Sequence, residues 1–131
     1  MFTGQQALKQ YSNIENSVQA EYASSYHLTK MLFSGALKSL NLAASHMVNK
    51  NYEAKAKEIS RSFEIIMGLK ECLNLKDGGE LAKNLDELYA YMSKKVIESS
   101  FSNDPKILRH VADLMREISD GWNAMPIESR Q

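Results

Sequence analysis

The chain has 131 residues with sixteen basic and sixteen acidic side chains, so it carries no net charge when its three histidines are neutral. This length suits one domain that buries a real hydrophobic core. The balanced charge argues against nucleic acid or an anionic membrane surface as the main partner, because both are bound through a basic excess.

A single cysteine, Cys72, rules out an intrachain disulfide and fits a reducing compartment. Residues 1–6 contain no basic segment leading into an apolar run, which a cleaved signal would require. No stretch reaches the roughly 18 apolar residues of a membrane-spanning helix. We therefore expect a cytoplasmic protein without membrane insertion.

Residues 1–23 show only a weak helical period, with thinly spaced apolar side chains that include Leu8, Tyr11 and Ile14. This pattern predicts a short N-terminal helix or an extended arm and not a separate domain.

Four longer segments have apolar residues at steps of three or four, which predicts amphipathic helices over about 25–49, 51–75, 79–101 and 104–125. The breaks between them carry helix start and stop signals. These are a serine cap at Ser24 or Ser25, a break at Asn49 to Asn51, a helix-ending turn at Gly78-Gly79, and the cap and first helical position at Asp104-Pro105.

Because the connections are short, consecutive helices should be antiparallel neighbours. The predicted fold is all-α, an antiparallel up-down four-helix bundle over 24–125 with the short arm 1–23 before it. We expect 1–131 to form a single domain that ends in a flexible tail, 126–131.

The first helix is unusually apolar. Its polar side chains are confined to one narrow stripe, made of Lys30, Ser34, Lys38, Asn41 and Ser45. The remaining arc spans about 200°, against roughly 100° for an ordinary surface helix. Either this helix is central and sealed by its neighbours or by residues 1–23, or it presents a groove to an apolar partner. The two interpretations are compatible, since a loosely held arm can cover a groove until a partner displaces it.

No set of residues predicts catalysis or metal binding. The Glu-x-x-His pairs of di-iron bundles are absent, because Ser24, Ala43 and Ile107 stand three residues before His27, His46 and His110. Cys72 has no histidine or second cysteine near it in sequence, so we expect a buried, inert thiol. Met31 and Met67 are candidates for an adaptable binding surface. The residues themselves therefore indicate a helical interaction module, with no enzymatic activity and no cofactor.

Several motifs are similar to those of the FliS family of flagellar export chaperones. The most specific is GGELAKNLDELYAYM at 78–92, and LTKMLFSGAL at 28–37 and IIMGL at 65–69 followed by Leu73 also match. Tyr11, the Asn-Asp-Pro at 103–105 and Trp122 fall where the family has them. The chain departs from the family pattern at Ser25, where proline is usual, and at Ser34, where an acidic residue is usual.

The resemblance implies a chaperone that binds the disordered C-terminal segment of flagellin in the cytoplasm. Such a chaperone prevents premature polymerisation, keeps the client export-competent and docks at the flagellar export machinery. On this basis we expect the partner-binding residues to be Leu8, Tyr11 and Ile14 of the arm, Leu28, Met31, Leu32 and Ala36 of the first helix, and Asn84, Leu85, Leu88 and Tyr89 of the third. Leu32 and Leu85 are also candidates for the core.

Two further points stay open at the level of sequence. The alternative function is a generic helical-bundle interaction or signalling module without a secretion client, and a gene located beside flagellin genes would argue against it. A weak homodimer is not decided by the sequence either.

Overall fold

The computed structural model describes residues 25–125, which form α1 (Ser25–Val48), α2 (Tyr52–Glu71), α3 (Gly79–Ser102) and α4 (Pro105–Ala124). Helix α1 packs against α2 and α4, and α3 packs against the same two helices. The predicted all-α up-down bundle is confirmed for this part of the chain. The arm 1–23, the capping position Ser24 and the tail 126–131 lie outside the described residues. No helix within 25–125 is long and apolar enough to cross a bilayer.

The core is built around α1, whose inward face is almost completely buried. Its largest fully buried side chains are Leu32, Leu40, Ile66, Met92, Leu108, Met115, Val96 and Val111, contributed by all four helices. The predicted polar stripe of α1, from Lys30 to Ser45, is exposed at each of its five positions. On the flank of α1 that faces α4, the Phe33 and Trp122 rings meet edge to face with centroids 6.1 Å apart.

Two of the predicted helix boundaries have a clear local cause, a side-chain cap at the start of α4 and a left-handed residue between α1 and α2. The Asp104 side chain accepts a hydrogen bond from the Lys106 backbone N–H at 3.0 Å, and Pro105 occupies the first turn of α4, as predicted. Between α1 and α2, Lys50 adopts a left-handed backbone with φ 60°, which reverses the chain within three residues.

The connection between α2 and α3 differs from the prediction, because α2 ends at Glu71 and not near Leu75. Asn74 organises the turn that follows. Its side-chain oxygen accepts from the Asp77 backbone N–H at 3.1 Å, and its carbonyl accepts from the Gly78 N–H at 2.8 Å. These bonds satisfy the backbone in a turn instead of a helix, which is a common role of asparagine.

The glycine pair therefore begins α3 and does not end α2. Gly79 has φ +62°, a conformation that L side chains rarely adopt. A Cβ on Gly78 would lie 2.5 Å from the Cβ of Ala82 and from the Asn74 carbonyl oxygen, so only glycine fits there.

The early end of α2 also makes the prediction of a buried Cys72 wrong. Cys72 is the residue that caps α2, and its side chain is exposed. Partial burial of the sulfur, and secondarily the charge of Glu71, raise the pKa of the thiol above its ordinary value.

Three of the residues whose apolar spacing predicts the second and third helices turn outward. Tyr52 and Ala56 on α2 are exposed, and so is Leu81 on α3. Tyr52 and Leu81 lie within the first turn of their helices.

Candidate partner-binding surface

The predicted partner-binding residues of α1 divide into buried and partly exposed positions. Leu32 and Ala36 are core residues with 1% and 0% exposure. Leu28 and Met31 are half-buried. Because Phe33 faces α4 and residues two apart on a helix point about 200° apart, Met31 lies on the other flank, toward α2.

The predicted residues of α3 divide in the same way. Tyr89 is 2% exposed and belongs to the core, Leu85 and Leu88 are half-buried, and Asn84 is exposed. Burial of the Tyr89 phenol, and secondarily the nearby Cys72, raise its pKa well above the ordinary value. This ring therefore supports the bundle from within and presents little of itself to a partner.

The two predicted groups share one end of the bundle, because α1 and α3 run in the same direction and both groups lie in the N-terminal halves of their helices. They do not form one continuous groove, since α1 and α3 are diagonal and are separated by α2 and α4. Leu8, Tyr11 and Ile14 lie outside the described residues.

The structure instead points to the line where α3 meets α4. Of the four adjacent helix pairs, this one has the smallest packing interface. Its register is visible in the contact between Tyr91 and His110, whose side chains approach to 3.3 Å between Oη and Nε2 and whose rings meet edge to face at 89°. Lys95 lies over the Tyr91 ring at 5.7 Å.

From this contact the register of the two antiparallel helices can be extended toward the N-terminal end of α3. Asn84 and Leu88 precede Tyr91 at spacings of seven and three residues, so they share its α4-facing stripe. Leu114 and Ile118 follow His110 at spacings of four, so they share its α3-facing stripe. Leu88 is thereby placed beside Leu114, and Ile118 lies one turn further along.

We call this surface the α3–α4 seam and define it by Leu81, Asn84, Leu85, Leu88, Leu114 and Ile118. Leu81 is 57% exposed and lies two turns before Leu88 on the same face. Four of the other members are half-buried leucine or isoleucine side chains that pack against the core on one side only. The seam is therefore an apolar strip that is incompletely covered by the rest of the described chain.

In the sequence, Leu114 and Ile118 show only the apolar spacing that predicts the core-facing side of α4. Their position at the seam depends on the register between α3 and α4, which the Tyr91–His110 contact reveals and which residue spacing cannot. An excess of apolar residues over those that the core can bury is the one signal that would have suggested it.

Nothing about the described part of this surface resembles a reactive centre. Among residues 25–125 there is no group of three or more histidine, cysteine or acidic side chains placed to hold a metal ion. The seam offers shape and apolar area, which are the properties of a protein-binding surface.

Comparison with known proteins identifies the class of the protein. The family model described as "Flagellar protein FliS" matches residues 6–129. The chain is 33% identical over 122 residues to the flagellar secretion chaperone FliS of Vibrio cholerae, covering 93% of this chain and 90% of the relative. It is 36% identical over 119 residues to the flagellar secretion chaperone FliSB of Pseudomonas aeruginosa, covering 91% and 94%. For FliS of Bacillus subtilis the identity is 31% over 108 residues, covering 82% and 78%.

These matches span nearly the whole chain and define a flagellar secretion chaperone, a protein with a non-enzymatic role in export. Within that class, the chain belongs to the FliS family. The resemblance carried by the motifs at 28–37 and 78–92 is thereby confirmed.

Proposed function

We propose that this chaperone binds the disordered C-terminal segment of a flagellin in the cytoplasm, prevents its premature polymerisation and keeps it export-competent. The observation that carries the proposal is the incompletely covered apolar seam between α3 and α4 in a chain of the FliS family. The loaded complex then docks at the flagellar export machinery.

Binding of this kind is coupled to folding of the client. A segment that forms a short amphipathic helix on the seam buries its own apolar face together with Leu81, Leu85 and Leu88. Ordering the client costs about 2–5 kcal/mol of the gross interaction energy. A net affinity between micromolar and nanomolar, about −8 to −12 kcal/mol, permits both capture and release.

The predicted residues then have two different roles. Leu28, Met31, Asn84, Leu85 and Leu88 contact the client directly, since each has accessible surface. Leu32, Ala36 and Tyr89 are buried and hold the helices that carry the contact residues. Leu81 joins the first group.

The arm has a regulatory part in this proposal. Leu8, Tyr11 and Ile14 pack on apolar surface of the bundle without a client, and the client segment replaces them. Because their helical period is weak, the cost of displacement is modest. Displacement of the arm is tested by measuring hydrogen exchange of residues 5–18 with and without a flagellin C-terminal peptide. Unchanged strong protection at saturating peptide would contradict displacement.

The client assignment is tested by calorimetric titration with full-length flagellin and with flagellin that lacks its last few dozen residues. We expect a one-to-one complex with the first and no binding to the second. Equal binding of both flagellins would refute the assignment.

The seam is tested by Leu81→Ser, with Val48→Ser as a matched control. The two side chains are 57% and 58% exposed and lie at opposite ends of the bundle, so neither change should unfold the protein. Leu81→Ser should weaken flagellin binding about tenfold, because it removes an exposed apolar contact of the seam. Val48→Ser should leave it unchanged.

A further inference from the structure

Neutrality of the whole chain conceals a separation of charge along the bundle. One half consists of residues 37–61 and 91–114, which include the α1–α2 and α3–α4 turns; we call it the basic end. It carries nine basic side chains, at positions 38, 50, 55, 57, 61, 94, 95, 106 and 109, and five acidic ones, at 53, 58, 98, 104 and 113. The other described half, 25–36, 62–90 and 115–125, carries five basic and eight acidic side chains.

The basic end also exposes large apolar side chains. Phe101 is 87% exposed, Val48 58%, Tyr52 54% and Ile97 40%. Ile97 and Phe101 are four residues apart and share one face of α3. An 87% exposed phenylalanine is unusual at a helix surface, where apolar rings are normally covered.

Lys55 links the start of α2, which carries Tyr52, to the end of α3, which carries Phe101. Its Nζ donates to the Ser100 carbonyl at 3.3 Å and to the Asn103 side-chain oxygen at 3.1 Å, which ties the first turn of α2 to the last turn of α3. The same Nζ lies 5.6 Å from the centre of the Tyr52 ring. Tyr52 is therefore held close to the residues that flank Phe101.

We propose that the basic end is a second docking surface, separate from the α3–α4 seam, and that it takes an acidic segment of another protein with apolar side chains between its carboxylates. Phe101, Tyr52, Ile97 and Val48 supply the apolar contact. Lysines such as Lys50, Lys57 and Lys94 supply the complementary charge around it. This proposal stands on charge and exposure at the basic end and does not depend on the client of the seam.

Two other occupants fit the observations less well. An anionic membrane is held by clusters of four to eight basic residues, roughly, whereas Glu53, Glu58 and Glu98 interrupt the basic residues here. Pairing of this end with the same end of a second copy would bring like charges together. In addition, the surface of four apolar side chains is well short of the roughly 800 Å² that each partner of a stable dimer buries. Head-to-tail stacking onto the acidic half would give an open chain and not a closed oligomer.

The test uses the full-length protein labelled with ¹⁵N and two synthetic amphipathic helices of about 18 residues, or five turns. Both peptides carry the same leucine and phenylalanine face, and their flanking positions are glutamate in one and lysine in the other. We expect amide shifts at 48–57 and 97–106 with the glutamate peptide and none there with its lysine twin. Phe101→Ser should weaken this binding about tenfold, and Leu81→Ser should not change it.

Several results would overturn the proposal. These are no binding of the glutamate peptide, equal binding of the lysine twin, or shifts confined to the α3–α4 seam. Binding to vesicles with one-third phosphatidylglycerol that Phe101→Ser abolishes, without peptide binding, would assign the surface to a membrane. Sedimentation that depends on protein concentration and is lost in Phe101→Ser would assign it to a second copy. Titration of Phe101→Ser with flagellin distinguishes the basic end from the α3–α4 seam, since this variant should bind flagellin normally.

Discussion

Replacement of Leu32 by alanine separates core residues from contact residues on α1. Leu32 is 1% exposed and belongs to the central cluster, so the change removes buried methyl groups and leaves a cavity. Such a loss costs about 2–5 kcal/mol, a large part of the roughly 5–15 kcal/mol by which a domain is stable. With an unfolding entropy scaled to this chain length, each kcal/mol lowers Tm by about 4 °C. We therefore expect a fall of roughly 8–20 °C.

Leu28→Ala is the matched control, because it is the same chemical change one turn earlier at a half-buried position. It should cost about 1 kcal/mol, since much of the side chain already faces solvent. Urea unfolding followed by circular dichroism measures both values, and flagellin titration at low temperature measures binding by the folded protein. Leu32→Ala should bind normally once folded, whereas Leu28→Ala should bind more weakly. Equal unfolding midpoints for the two variants would refute the assignment of Leu32 to the core.

Three more predictions concern single groups. The pKa of Tyr89 is raised in the folded state, so the stability linked to this phenol is fully present below about pH 10, the ordinary phenol value. As the pH rises further, this stability is lost by up to about 1.4 kcal/mol per pH unit. Urea unfolding between pH 9 and 11 should show a steeper loss of stability in the wild type and in Tyr91→Phe than in Tyr89→Phe, which keeps the slope linked to the raised pKa of the Cys72 thiol; an equal slope in Tyr89→Phe would contradict the assignment. Cys72 should react with iodoacetamide in the folded protein because its side chain is exposed. At pH 8 this reaction should be slower than that of a free thiol, because the pKa of Cys72 is raised. Complete protection of Cys72 from iodoacetamide would show that it is buried. Asp104→Ala should lower the free energy of unfolding by about 0.5–2 kcal/mol, because the cap of α4 is lost, and an unchanged urea midpoint would show that the cap contributes nothing.

The four helices and their order could be predicted from the sequence because each helix carries a strong local signal. The narrow polar stripe of α1 and the Asp104-Pro105 start of α4 are examples in which periodicity and capping agree with the final structure. The predicted end of α2 near residue 75 was wrong because Leu73 continues the apolar spacing beyond the true end of the helix. Asn74 nevertheless captures the backbone in a turn, and that competition cannot be judged from spacing alone.

The candidate surface was less predictable than the fold. Sequence spacing identifies a face of a helix, but not whether a neighbouring helix covers that face. Leu85 and Leu88 were expected to contact a partner and do retain accessible surface, whereas Tyr89, the next residue after Leu88, turns fully into the core. The burial of Tyr89 and the exposure of Leu81 are properties of the assembled bundle, in which both α2 and α4 pack against α3.

The arrangement of interfaces explains how a small bundle can keep an apolar strip uncovered without losing its fold. Helix α1 makes the two most extensive contacts, with α2 and α4, and contributes Leu32, Ala36 and Leu40 to the centre of the core. Between α2 and α3, Ser62 and Ser93 are buried and donate to carbonyls of their own helices at 2.9 and 3.0 Å, so their small side chains need no partner across the interface. Packing is thus most extensive away from the α3–α4 pair. Under the proposed function, a client segment at that seam would add apolar contacts where the bundle has fewest, and its release would leave the α1-centred core intact.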